Sequence, residues 1–95
     1  METNVTFRHF NNHQPQLQEK AIELANRLTR YADEILSANV EFINEQNKIV
    51  EFTVHVNGEI LKARSESEDF HKSLNDAADK MQRQLIKWKT KHFNI

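Results

Sequence analysis

The sequence predicts an α+β domain with the order β-α-β-β-β-α, in which two helices cover one face of a four-stranded sheet. Three observations predict it. Apolar residues recur at three- and four-residue spacing in two stretches, 17–35 and 70–88. Between them, "IVEFTVHV" alternates cleanly, with Val50, Phe52, Val54 and Val56 on one side and Glu51, Thr53 and His55 on the other. Directly after it comes Asn57-Gly58, the strongest short-range signal for a hairpin.

Each element follows in chain order. "NVTFRHF" places Val5, Phe7 and His9 on one side and Thr6, Arg8 and Phe10 on the other, as a first strand. "NNHQPQ" interrupts it, and Pro15 suits the first turn of a helix, where its missing N–H is not needed. From there Leu17, Ala21, Leu24, Leu28, Tyr31 or Ala32, and Ile35 form a helical stripe, predicting a helix that runs to about Ala32 or Asp33. "ANVEFIN" is the second strand, with Val40 and Phe42 on its inner side.

The hairpin fixes its own register. Counting back from Asn57-Gly58, where both residues are expected to accept positive φ, pairs Val54 with Leu61, Phe52 with Ala63, Thr53 with Lys62 and Glu51 with Arg64. Core residues then meet core residues, and Glu51 meets an opposite charge. The last helix carries Phe70, Leu74, Ala77, Met81, Leu85 and Trp88 within roughly 80° of arc. Ser67, or the Ser65/Glu68 pair, is placed to cap it, with Glu68 and Asp69 at its positive end. The outer sheet face, bearing Glu51, Thr53, His55, Lys62 and Arg64, meets solvent.

At 95 residues, with 28% charged and 38% hydrophobic, the chain is sized for one soluble globular domain spanning 1–95. It has no cysteine, which excludes disulfides, zinc–thiolate sites and thiol nucleophiles. No apolar run approaches the roughly 18–20 residues that span a bilayer, and "METNVTFRHF" has neither a basic n-region nor an apolar h-region. A cytoplasmic protein is the expectation. A single glycine leaves no phosphate cradle. His9, His13, His55, His71 and His92 offer no ligand pair on one element, and Ser65, Ser67 and Ser73 lack a paired base. Neither a metal, nor a cofactor, nor a catalytic centre is expected.

Charge is the informative feature. The formal net charge is −1, yet residues 1–47 hold four Lys/Arg against seven Asp/Glu and residues 48–95 hold nine against seven. From Glu66 to Asp79 there are five acids and one lysine; then Lys80, Arg83, Lys87, Lys89 and Lys91 follow with no acid between or after them. Lys80, Arg83, Lys87 and Lys91 fall on one stripe beside the apolar face. Lys20, Arg27 and Arg30 flank the stripe of the first helix, so helices packed side by side can bring both stripes to one groove or ridge. Acids first and bases last also suit the helix macrodipole, and Asp76/Lys80 is an ordinary i,i+4 pair. Five unopposed bases exceed what the dipole needs, and a ridge of cations one turn apart fits successive phosphates.

The ordered set "HVNGEI" and "SEDFHKSLNDAADKMQRQLIKWKTK" resembles the ribosome hibernation-promoting factor family, which includes protein Y. The matching positions are His55-Val56-Asn57-Gly58, Asp69, Asp79-Lys80, Arg83-Gln84-Leu85, Lys87, Lys89 and Lys91. "RLTRYADEI" is similar to the end of the family's first helix, with Arg27, Leu28, Arg30, Tyr31 and Asp33 in its places. Many members carry another lysine a turn before Arg27, where this chain has Glu23 and Leu24.

The resemblance implies the same β-α-β-β-β-α fold and a non-enzymatic factor of stressed or stationary cells. It implies binding to the small ribosomal subunit and its rRNA, in the channel used by messenger and transfer RNA. The implied RNA contacts are Arg27, Arg30, Lys80, Arg83, Lys87, Lys89 and Lys91. The chain ends at "HFNI" and looks like a short-form member, which implies that ribosomes are paired only with a separate ribosome modulation factor. Neither a membrane nor a small-molecule substrate is implied. Two other readings fit the residues: a double-stranded-RNA-binding-like domain not specific to ribosomes, and a protein-interaction module that docks an acidic partner on the basic stripe.

Overall fold

Four strands pair in the order β1-β2-β3-β4: β1 (Glu2–Arg8), β2 (Ile35–Asn44), β3 (Lys48–Val56) and β4 (Glu59–Ser67). The structure, a computed structural model, describes residues 1–93. Asn94, Ile95 and the side chains of His92 and Phe93 lie outside it, so the expectation for His92 lies outside the described residues. β1 runs parallel to β2, and the crossover between them is α1 (Pro15–Arg27) with a 3₁₀ turn at Leu28–Arg30. β2, β3 and β4 are antiparallel, and α2 (Phe70–Phe93) lies over β3 and β4. The element order and the two helices on one face of a four-stranded sheet are those expected; the strand order and the parallel β1–β2 pairing come from the structure.

The β3–β4 register agrees with the sequence pair for pair: Val54 with Leu61, Phe52 with Ala63, Thr53 with Lys62, Glu51 with Arg64. The turn differs in one respect. Gly58 has φ 84°, but Asn57 is not among the residues with positive φ. Left-handed backbone at the third turn position alone is the type II pattern, which asks for glycine there and tolerates asparagine before it.

α1 begins with Pro15 in its first turn, as expected, but ends earlier than its stripe suggests. The helix closes at Arg27, tightens through the 3₁₀ turn, and Ile35 opens β2 opposite Val56. Ile35 and Ala32 are buried, so the spacing correctly marks burial and mistakes its cause. No glycine or proline punctuates this stretch; the Thr29 hydroxyl, donating to Asn26 O at 2.7 Å, marks the tightening instead. A register shift between Ile35 and Ser37 leaves Leu36 as an extra residue on β2, 63% exposed.

β1 also departs from strict alternation after Arg8. His9 adopts φ 66° and is exposed, whereas Phe10 swings to the inner side. Phe7 stacks on Phe42 with centroids 5.1 Å apart, and Phe10 meets Phe7 edge-on at 5.2 Å and Phe70 at 5.2 Å. Four phenylalanines thus tie β1 and its following loop to the start of α2. The left-handed step at His9 is what brings Phe10 to them.

α2 is capped by Asp69, not by the serines: its carboxylate accepts the Lys72 N–H at 3.1 Å. Ser67 ends β4 and accepts the Asp69 N–H, while the fully buried Ser73 donates to Lys48 O at 2.6 Å. Leu74, Met81 and Leu85 are fully buried over Val50, Phe52 and Val54, and Trp88, 4% exposed, continues the stripe. A side chain of that size removed from water contributes on the order of 1.5–3 kcal/mol or more.

Candidate nucleic-acid interface

At 100° per residue, Lys80, Lys87 and Lys91 project from the flank of α2 that overhangs β4, and Lys89 from the opposite flank, toward α1. Arg83 lies between these flanks on the outward crest. The contacts agree. Lys80 Nζ donates to Arg64 O at 2.8 Å, and Gln84 Nε2 donates to Lys62 O at 2.6 Å, both carbonyls being on β4. Lys87 and Lys91 border a shallow groove with Glu59 and Leu61 of β4, above buried Trp88. Arg83, Lys87 and Lys91 are exposed and Lys89 is half-buried. Asp76 pairs with Lys72 at 3.4 Å rather than with Lys80, which is free to reach β4.

The two basic stripes therefore do not meet in one groove. Arg27 and Arg30 border a different one, between α1 and α2, of 390 Å³. Its opposite wall is Asn75, Asp79 and Gln82, and Tyr31 closes the α1 side. The lysine track on the β4 flank and the arginines of α1 lie on either side of the α2 crest. Among the α1 cations, Arg27 is held by Glu23 at 2.6 Å, and Lys20 by the same carboxylate at 3.6 Å. Arg30 has no ion pair among the described residues.

The open sheet face is charged but internally balanced. Glu41 and Glu51 sit directly opposite each other on β2 and β3, a repulsive placement. Arg8 offsets it from β1, at 2.9 Å from Glu41, and Arg64 from β4, at 3.8 Å from Glu51 and from Glu66. The Glu41 hydrogen bond and charge push the Arg8 guanidinium above its ordinary value. Beneath this network Ile43 and Ile49 face each other, each 4% exposed on a face expected to be solvated throughout. Among the described residues no group of three His, Asp or Glu is placed to hold a metal ion. No described helix is long and apolar enough to cross a membrane.

The sequence reading gave no contact to five residues that border these surfaces, although Tyr31, Asp79 and Gln84 were among its family-matching positions. Gln84 holds α2 against the β4 edge, and Tyr31, Asn75, Asp79 and Gln82 wall the interhelical groove. The spacing of 75, 79 and 82 shows that they share a helix face, but only the position of α1 shows what that face meets.

The chain thus presents a mixed four-stranded sheet with two helices on one face and a row of cations along the last helix. The fold matches a ribosomal subunit interface protein from Coxiella burnetii with a TM-score of 0.86, at 27% identity, over 95% of this chain and 99% of that one. The family model described as "Sigma 54 modulation protein / S30EA ribosomal protein" matches residues 3–92, and the chain belongs to that family. Among its relatives are a ribosome hibernation promoting factor of Azotobacter vinelandii, 40% identical over 79% of this chain and 71% of the relative. Another, from Pseudomonas putida, is 33% identical over all of this chain and 93% of the relative.

Proposed function

We propose that this protein is a ribosome-associated hibernation factor that idles ribosomes by occupancy. Family membership supports the ribosome-associated hibernation role. The finer reading is that the basic side of α2 contacts small-subunit rRNA in the channel used by messenger and transfer RNA. One observation carries it: Lys80, Arg83, Lys87, Lys89 and Lys91 run over about three helical turns without an acid among them. Elsewhere Arg8, Lys20, Arg27, Arg64 and Lys72 sit beside carboxylates, and the remaining cations, Arg30, Lys48 and Lys62, are scattered over different elements. Unopposed charge is what remains for a phosphate backbone, whose counterions its binding releases.

Occupancy needs no chemistry, only a cationic surface where another RNA must pass. The test is sedimentation of the purified protein with vacant ribosomes and with separated subunits, followed by competition with initiator transfer RNA at two salt concentrations. Co-sedimentation with the small subunit, displacement of initiator transfer RNA, and relief by raised salt are the expected results. Simultaneous binding of both to one small subunit rejects the mechanism. Preference for a free RNA duplex over ribosomes points to a general duplex-binding domain, and nuclease-insensitive association points to a protein partner.

A further inference from the structure

We infer that the groove between α1 and α2 receives one unstacked nucleotide of the bound RNA, an inference that rests on the RNA-binding reading above. Its volume, 390 Å³, lies within the roughly 300–1,000 Å³ of small-ligand sites. Its chemistry is divided between the two helices. The α1 wall offers the guanidiniums of Arg27 and Arg30, suited to bidentate contact with phosphate, and the half-buried ring of Tyr31. The α2 wall offers the amides of Asn75 and Gln82 and the carboxylate of Asp79. Buried Leu24, Leu28 and Ala78 line it between them.

A phosphate, an aromatic platform and base-edge partners are what recognition of a splayed-out RNA base requires. The β4-flank track lacks such a platform, because Trp88 is buried in the core. Arg27 is occupied by Glu23, so Arg30 is the guanidinium available for the phosphate. Asp79 only accepts hydrogen bonds and repels phosphate, so it belongs at the base end. A carboxylate there favours guanine, which offers two adjacent N–H donors on its pairing edge, over uracil, which offers one.

The test is a titration of the full-length, isotope-labelled protein with guanosine 5′-monophosphate, uridine 5′-monophosphate and inorganic phosphate, followed through its backbone amide resonances. Saturable shifts at Arg30, Tyr31, Asn75, Asp79 and Gln82, several-fold tighter for the guanosine nucleotide, are expected. Tyr31→Leu should weaken them about tenfold by removing the stacking platform, and Asp79→Asn should level guanosine with uridine. If Tyr31→Leu lowers the melting temperature, Asp79→Asn decides from the exposed wall. Phosphate alone reproducing the whole pattern, an acidic peptide reproducing it, or a silent groove overturns the inference. The underlying reading is judged separately: a wild-type protein that sediments with ribosomes while its groove is silent loses only the groove, whereas one that fails to sediment loses the RNA-binding role.

Discussion

α1 and α2 lie side by side on one sheet and use charge in opposite ways. α1 sets Lys20 and Arg27 around Glu23, so two of its cations are already neutralised by the helix itself. α2 separates its charges along its length: Asp69 caps the first turn, Lys72 and Asp76 pair early, and from Lys80 onward the helix carries five cations and no acid. Under the proposed function, availability of charge rather than its count is what suits a surface to a polyanion. A formal net charge of −1 is compatible with such a surface when acids and bases are sorted in space.

The contrast depends on α2 being held rigidly, and the largest effect comes from attacking its anchor. Trp88→Ala should lower stability by about 3–5 kcal/mol, as for other large buried aromatics, measured by denaturant unfolding. Native tryptophan emission typical of a fully hydrated indole would contradict the burial and detach the basic track from its support. Next in size is the charge itself. Replacing Lys80, Arg83, Lys87 and Lys91 by glutamine should weaken ribosome binding on the order of a hundredfold or more, since each phosphate contact adds about 0.7–0.9 to the salt slope. The melting temperature should barely move, because exposed charges contribute only about 0–1 kcal/mol each. Near-native sedimentation of that variant would mean the α2 cations serve only the helix macrodipole.

Smaller effects sharpen the comparison. Asp69→Ala removes the carboxylate that accepts the Lys72 N–H and should cost about 1 kcal/mol in a thermal melt, with little change in binding at temperatures where the protein is folded. Glu23→Gln should make α1 resemble α2. With Arg27 and Lys20 released, ribosome binding should tighten a few-fold and its salt slope should steepen by up to about 0.7–0.9 per new contact. Unchanged binding in filter assays at two salt concentrations would show that α1 stays off the RNA whatever its charge.

Most of the fold was legible because local rules agreed with one another. Hairpin register follows from a two-residue turn and a two-residue period, so Val54, Phe52 and Glu51 could each be assigned a partner. The end of α1 was not legible, since burial at Ala32 and Ile35 looks the same whether a helix or a sheet provides it. Phe10 was misplaced because one left-handed residue, His9, reverses the alternation, and histidine does not announce that conformation as glycine would. The basic residues were legible as a list and along α2 as a stripe. Their division by the α2 crest was not, because which flank meets α1 and which meets β4 is settled by packing between distant segments. The interhelical groove belongs to the same class of tertiary facts.

The bonds from Lys80 and Gln84 to the carbonyls of Arg64 and Lys62 have a further consequence. β4 is an outer strand of the sheet, and its unpaired acceptors would otherwise be a template onto which another chain could add a strand. Two side chains of the protein's own helix occupy those acceptors and set a cation at the rim. A strand approaching along β4 meets two carbonyls already bonded and a cation beside them, which disfavours strand addition at that part of the edge.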